Sequence, residues 1–213
     1  MKTIEITLYN IDELKTINNK AYEKILNDTR EYLINTNFEY AAYDVIEILK
    51  DRYNLDIKKD NIYYSISYCQ GDGFCFIDNN ILSYTNIKNK SKNCNAFEKW
   101  IIDNLSDDDM RLLLDYLNCN YNLSIIKTSH HYSHAYTCII DYEVFYSSDD
   151  ENYIESMNNF IYELTKKLFN NVYIAICNDI ESMLYGYYDI AEDDVIEFIN
   201  NNNYYYDIDG VLY

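Results

Sequence analysis

Three histidines, His130, His131 and His134, lie in one short segment and are the only histidines of the chain. The ordinary pKa of histidine lies close to neutrality, so this segment could supply a general base or metal ligands. It is predicted to begin a strand, in which His130 and His134 share a face but stand about 13 Å apart, too far to hold one ion. We therefore predict no metal, and a general base remains open if Asp72 lies on a neighbouring strand.

A second candidate is the segment Gln70-Gly71-Asp72-Gly73, which contains two of the four glycines of the chain. Asp72 could act as a carboxylate ligand or base, with Gln70 orienting it. The same residue types suit a hairpin turn, because glycine adopts positive φ without strain and Asp tolerates left-handed geometry. No helix start or lysine follows directly, which disfavours a phosphate cradle. We interpret the segment as a tight turn between two strands.

Six cysteines lie at positions 69, 75, 94, 119, 138 and 177, without a Cys-x-x-Cys pair. A chain of 213 residues can bury a sufficient core without disulfides, so we expect buried free thiols rather than disulfides or a zinc site. The N-terminal residues contain no apolar signal-type stretch, and no stretch approaches 18 apolar residues. These features predict a cytoplasmic protein with reduced thiols and no cofactor.

The net charge is −19, and it is distributed unevenly. Residues 128–213 carry 16 Asp and Glu residues against two lysines, Lys166 and Lys167. Direct binding to nucleic acid requires clustered Lys and Arg, and an anionic membrane would repel this region, so neither is expected as a ligand. The charge instead predicts a protein partner with a basic surface.

The acidic residues alternate with tyrosines, whose rings can stack on arginine. Such acids can serve only to keep a protein soluble. They could also imitate DNA, because about 20 phosphate charges cover about 35 Å of duplex, and a globule of this length has a radius of gyration near about 17 Å. The residues predicted to contact the partner are Asp149, Asp150, Glu151, Glu155, Asp189, Glu192, Asp193, Asp194, Glu197, Tyr187 and Tyr188.

Hydrophobic periodicity predicts the elements that position these residues. Alternation predicts strands over 3–9, 62–69, 74–77, 123–127 and 132–146. Helical periodicity predicts helices over 12–35, 39–53, 96–105, from 107, from 150 and over 192–200, with a loop over 85–95. This order predicts an α+β fold, an antiparallel sheet flanked by helices with a helical C-terminal half. We expect a single domain, 1–213, with a possible division into a sheet-containing part, 1–146, and an acidic helical part, 147–213.

The order of motifs resembles a family of tailed-phage proteins, which we call the QGDG-motif proteins. Its members open with a strand and a helix that begins Asp-Glu-Leu, here Asp12-Glu13-Leu14. They continue with Ser-x-Ser-Tyr-Ser-Gln-Gly-Asp-Gly-x-x-Phe, here residues 65–76 with Cys69 in place of the usual serine. A later Tyr-Ser-His is found here at 132–134, and an acidic aromatic end closes on Asp209-Gly210.

The resemblance spans most of the chain and implies a phage or prophage origin, with antirestriction or antitoxin roles attached to its members. Together with the charge, it predicts an anti-defence inhibitor that binds a CRISPR effector, a restriction enzyme or a similar nucleic-acid-handling host protein, acting as a mimic of nucleic acid. Two alternatives remain open. One is a small hydrolase or nuclease that uses Asp72 and the His130–His134 segment, and the other is a phage adaptor or regulator whose charge only confers solubility.

Overall fold

A computed structural model describes residues 6–66 and 71–213 of the chain. Helices predominate in these residues, where four short strands form two antiparallel pairs. The predicted α+β class, with a helical C-terminal half, is confirmed. Within the described residues no helix combines the length and the apolar character needed to cross a membrane.

The helices and strands are short except for one long helix. The helices are α1 (Ile11–Ile17), α2 (Asn19–Tyr53), α3 (Tyr84–Lys88), α4 (Ala96–Asn104), α5 (Asp107–Asn118), α6 (Glu151–Leu168), α7 (Ile174–Tyr188) and α8 (Glu192–Asn201). The strands are β1 (Ile62–Ser65), β2 (Gly73–Phe76), β3 (Leu123–Lys127) and β4 (Cys138–Tyr142). A π-helical turn, Phe169–Tyr173, joins α6 to α7, and a 3-10 turn, Ala135–Thr137, precedes β4.

Each strand pair is antiparallel. In the first pair Ser65 of β1 lies opposite Gly73 of β2, so residues 66–72 form the connection. In the second pair Ile125 of β3 lies opposite Ile140 of β4. The second pair is tied to the chain after β2, because the backbone N–H of Ile125 donates to the carbonyl of Asp78 at 2.7 Å and the reverse bond measures 3.2 Å.

The chain divides into two compact units. The terminal unit comprises residues 1–41 and 185–213, and the central unit comprises residues 42–184. The junctions fall within α2 and α7, and α6, which follows residue 146, packs against β4 within the central unit. The possible division at 146 stays a prediction.

Each unit has its own apolar core. In the central unit the fully buried Phe74, Phe76 and Phe97 lie in this core with Tyr173, whose hydroxyl donates to the carbonyl of Phe76 at 3.0 Å. The buried residues of the terminal unit core are Ile11, Leu14, Tyr22, Ile25, Leu26, Val195, Ile199 and Tyr206. Burial of one such side chain stabilises a fold by about 1.5–3 kcal/mol, so each unit rests mainly on these contacts.

Several helices begin where the sequence predicted them, directly after residues that cap the helix N-terminus. Ser106 caps α5 by accepting from the backbone N–H of Asp109, and three Asp residues occupy the first turn of that helix. Asn95 and Glu98 form a capping box at α4. The predicted bounds of β3 are confirmed, and α8 begins at the predicted Glu192.

Five predicted elements need correction. Residues 6–8 form no strand, since only Tyr9 bridges to Tyr206 and the side chains of Ile6 and Leu8 are exposed. The helices predicted over 12–35 and 39–53 are instead α1 and the single helix α2, separated at Asn18. The strand predicted over 132–146 is confined to β4, and the predicted loop over 85–95 contains most of α3. The start of the first predicted strand, residues 3–5, and the end of the second, residues 67–69, lie outside the described residues.

Candidate functional site

The two motif segments of the central unit lie in direct contact. The backbone N–H of Ser133 donates to the carbonyl of Gly71 at 3.2 Å. Gly71 has φ +99° and Gly73 has φ +144°, so the predicted need for positive φ is confirmed. A β-carbon on Gly73 would lie 2.9 Å from the Cβ of His134, so glycine is required here for space as well. Of the predicted turn at 70–73 only Gly71, Asp72 and Gly73 belong to the described residues, and Gln70 lies outside them.

Acidic and basic side chains meet at this contact. Asp72 accepts a hydrogen bond from the Ser65 hydroxyl at 2.8 Å. The carboxylate of Glu181, on α7, would lie 3.0 Å from a β-carbon on Gly73. Burial raises the pKa of Glu181, the backbone N–H of Phe74 and the His134 side chain lower it, and Asp72 raises it. Asp72 and His134 therefore both act electrostatically on Glu181.

Only one of the three histidines belongs to this contact. His134 is half-buried, its ring stacks on Tyr132 with centroids 5.9 Å apart, and its Nδ1 atom is buried without a hydrogen-bond partner among the described residues. His130 and His131 are exposed. The histidines therefore do not act as one cluster, and the pairing of Asp72 with a histidine rests on His134 alone. No group of three or more ligating side chains within residues 6–66 and 71–213 could hold a metal ion.

A lysine and two thiols lie behind the contact. The Lys127 ammonium donates to the backbone carbonyl of Tyr132 and lies 3.6 Å from the sulfur of Cys75 and 3.3 Å from the hydroxyl of Thr137. The hydrogen bond with Cys75 lowers the pKa of the Cys138 thiol, with a further contribution from Lys127. Both thiols are buried, and burial raises the pKa of each, whereas the Lys127 ammonium lowers it.

The described cysteines are all free but not all buried. Cys75, Cys138 and Cys177 are buried, Cys94 is half-buried and Cys119 is exposed. The expectation of buried thiols is therefore wrong for Cys119. Cys69 lies outside the described residues.

Glu181 and Lys127 did not emerge as site residues from the sequence. A signal for Glu181 is present, because it lies four residues after Cys177 and three before Leu184, both of which are buried on the inner face of α7. An acid at a core-facing position of an amphipathic helix requires a polar partner. In β3 the comparable signal is a charged side chain in an otherwise uncharged strand. Only Lys127, the last residue of β3, gives this signal.

A family model described as Domain of unknown function (DUF8835) matches residues 34–184. The chain belongs to this family. The DUF8835 match contains the entire central unit, including the contact between the two motif segments, but not α8 or the chain end. No curated protein and no solved structure matches the chain.

The acidic residues predicted to contact a partner are divided between the DUF8835 region and the terminal unit. Asp149, Asp150, Glu151 and Glu155 are exposed at the N-terminal end of α6, inside the DUF8835 region. Asp150 is the N-cap of α6 and accepts from the backbone N–H groups of two following residues, at 3.0 and 3.3 Å. Asp150 therefore has a structural role, whereas its acidic neighbours make no side-chain bond among the described residues.

The remaining predicted residues lie in the terminal unit, outside the DUF8835 match. Glu192 accepts from the Tyr22 hydroxyl at 2.7 Å and lies 3.7 Å from the Lys15 ammonium, so it holds α8 in place. The other acids of this set are exposed and form no ion pair within the described residues: Asp189, Asp193, Asp194 and Glu197. Tyr187 and Tyr188 are half-buried and have contacts of their own.

Proposed function

We propose that the protein is a phage-encoded anti-defence inhibitor that acts in the bacterial host cytoplasm. Its partner is a host protein with a basic nucleic-acid-binding surface, such as a CRISPR effector or a restriction enzyme. One observation carries the proposal. A set of predicted contact residues is exposed and has no basic partner within residues 6–66 and 71–213, and we call it the unpaired acidic set: Asp149, Glu151, Glu155, Asp189, Asp193, Asp194 and Glu197.

Little positive charge is available to neutralise the unpaired acidic set. After residue 127 the chain has only Lys166 and Lys167. Lys166 is already engaged, since its ammonium lies 2.9 Å from Glu163 and 3.8 Å from the centre of the Tyr162 ring. Exposed negative charge accelerates association with a positively charged surface and repels nucleic acid, whose phosphates are also negative. The excess of exposed negative over positive charge supports a protein partner with a basic surface.

A structural role for some of these acids is separable from binding. Glu151, Asp193 and Asp194 lie in first helical turns, where a carboxylate stabilises a helix by about 0.3–1 kcal/mol. Glu155 and Glu197 lie beyond the first turns of α6 and α8. Reversing the charge at these two positions therefore tests binding with little effect on helix stability.

The test uses bacterial strains that each carry one defined restriction or CRISPR system. Plating efficiency of a sensitive phage is measured with and without the protein. We expect the wild-type chain to restore plating in at least one strain, and Glu155→Lys with Glu197→Lys to reduce that protection at least about tenfold, as expected for loss of two steering charges. The matched control reverses Asp56 and Asp60, two exposed acids before residue 128. Equal protection by both double variants would contradict the proposal.

A second candidate function, a small hydrolase or nuclease, is favoured by the position of Asp72 and His134, which both act electrostatically on Glu181. A carboxylate beside a histidine is a common general-base arrangement. The test is hydrolysis of a simple phosphodiester by the purified protein. This candidate requires activity that disappears in Asp72→Asn and His134→Gln and persists in His131→Gln, since His131 is exposed. Absence of activity in the wild-type protein would remove it.

A further inference from the structure

The terminal unit contains a cavity of about 380 Å³ that the proposed function does not use. One wall is the face of α2 that carries Ile25, Asp28 and Tyr32. Phe198 of α8 and the chain end provide the rest of the lining. The residues of the chain end that line it are Tyr204, Tyr206, Gly210 and Leu212. We call this space the aromatic cavity.

Three aromatic rings follow one another around the aromatic cavity. The centroids of Tyr32 and Phe198 lie 6.1 Å apart with an angle of 40° between the ring planes. The centroids of Phe198 and Tyr204 also lie 6.1 Å apart, and their planes meet at 73°. All three rings line the cavity, so a group inside it can contact more than one π-system. The face of each ring is electron-rich and attracts a cation.

A carboxylate without a partner completes the cavity. Asp28 is exposed and makes no side-chain hydrogen bond or ion pair within the described part of the chain. The nearby Arg30 is engaged elsewhere, because its guanidinium donates to the carbonyl of Ile190 at 3.2 Å and to Asn27 at 3.1 Å. The cavity therefore combines aromatic faces with an uncompensated negative charge.

The fold holds these groups in place before any ligand arrives. Asp28 and Tyr32 are four residues apart on α2, so they lie on one face of the helix. The chain end is fixed by two backbone hydrogen bonds between Tyr9 and Tyr206, of 2.8 and 2.9 Å. Gly210 has φ +81°, and a β-carbon there would lie 3.3 Å from Ile25, which allows the chain end to lie close against α2. A preformed cavity loses less entropy on binding than a flexible one.

We propose that the aromatic cavity binds the guanidinium group of an arginine side chain. Guanidinium is planar, weakly hydrated and always charged, so it stacks on aromatic rings and forms paired hydrogen bonds with a carboxylate. The ammonium of lysine is more strongly hydrated and gains less from stacking. The cavity lies at the small end of the range for ligand sites, which suits a single side chain. This site is additional to the proposed function, and its test requires no host protein.

The test is an NMR titration of the full chain with N-acetylarginine methylamide, with the citrulline analogue as the neutral isostere. We expect saturable shifts of the ring resonances of Tyr32, Phe198 and Tyr204, and at least about tenfold weaker binding of the citrulline analogue, because cation–π and ionic contributions are lost. Equal binding of the two compounds would overturn the proposal. Tighter binding of N-acetyllysine methylamide or its trimethyl form would overturn the assignment to arginine.

Two variants locate the site. Asp28→Asn should weaken binding of the arginine compound by about tenfold, and Asp12→Asn, which alters an exposed acid on α1, should not. Phe198→Leu should also weaken binding. If Phe198→Leu impairs folding, as circular dichroism would show, Asp28→Asn still decides the question because Asp28 makes no side-chain bond to any residue that the structure describes. Unchanged binding in Asp28→Asn would overturn the proposal.

Discussion

A β-carbon on Gly71 would lie 1.9 Å from a ring carbon of Tyr132. Two segments that are separated by about sixty residues in the chain, from Gly71 to Tyr132, can therefore meet only because position 71 has no side chain. The adjacent Gly73 has the same relation to His134, at 2.9 Å. The contact couples the conformation of the β1–β2 connection to the segment that precedes β4.

Gly71→Ala should lower the free energy of unfolding by at least about 2 kcal/mol. The positive φ of +99° alone costs about 1–3 kcal/mol for a residue with a side chain, and the overlap with Tyr132 adds to it. The measurement is urea unfolding. The control is Gly186→Ala, since a β-carbon at this helical position would meet nothing within 4 Å, and it should raise stability by about 0.5–1 kcal/mol. The double variant Gly71→Ala with Tyr132→Ala removes the overlap. It should therefore recover only that part of the lost free energy of unfolding that the overlap causes.

Glu181→Gln should change how stability depends on pH. Burial raises the pKa of Glu181 above its ordinary value of 4.5 in the folded protein. The folded state therefore binds the proton more tightly than the unfolded state, and stability is lost as the pH rises from about 4.5 through the raised pKa. The Gln variant lacks this loss, so its stability relative to the wild-type protein should increase over that range and then remain constant. Urea unfolding between pH 4 and pH 8 measures this difference. A constant difference across the range would show that Glu181 does not titrate in this way.

Asp150→Ala should lower stability by about 1 kcal/mol, because Asp150 caps α6 through two backbone N–H groups. Its neighbour Asp149 makes no side-chain bond among the described residues, so Asp149→Ala should change stability by less than about 0.5 kcal/mol. Thermal unfolding of the two variants side by side provides the comparison. A similar loss in both would mean that the local negative charge, rather than the cap, stabilises α6.

Brief alkylation of the native protein should modify Cys119 well before Cys177. Cys119 is exposed at the end of α5, whereas Cys177 is buried and burial raises the pKa of its thiol. Peptide mass analysis after short exposure to iodoacetamide measures the order of reaction, and the unfolded protein, in which both thiols should react similarly, is the control. Equal rates in the native state would indicate that α7 opens readily.

Signals within a few residues of each other were sufficient for much of the fold. Ser106 before three Asp residues predicts the start of α5, and the alternation over 123–127 predicts β3, because a cap or a strand pattern acts through neighbouring residues. The distant pairings were not predictable in this way. The alternation over 3–9 predicts a strand, yet only Tyr9 finds a partner, since a strand forms only where another strand lies beside it. The gap predicted between the helices 12–35 and 39–53 is likewise absent, because no Gly or Pro lies between them and α2 continues through Thr36.

By itself, the sequence determined the acidic balance, the α+β class, most helix starts and the requirement for positive φ at Gly71 and Gly73, because composition, periodicity and backbone sterics are local properties. Only the tertiary structure decided which side chains meet. It placed His134 and Glu181 at the Gly73 turn, separated them from His130 and His131, and enclosed a cavity between Asp28 and Phe198. These contacts join residues far apart in the chain, and their formation depends on how whole helices and strands pack, which no short window of sequence contains.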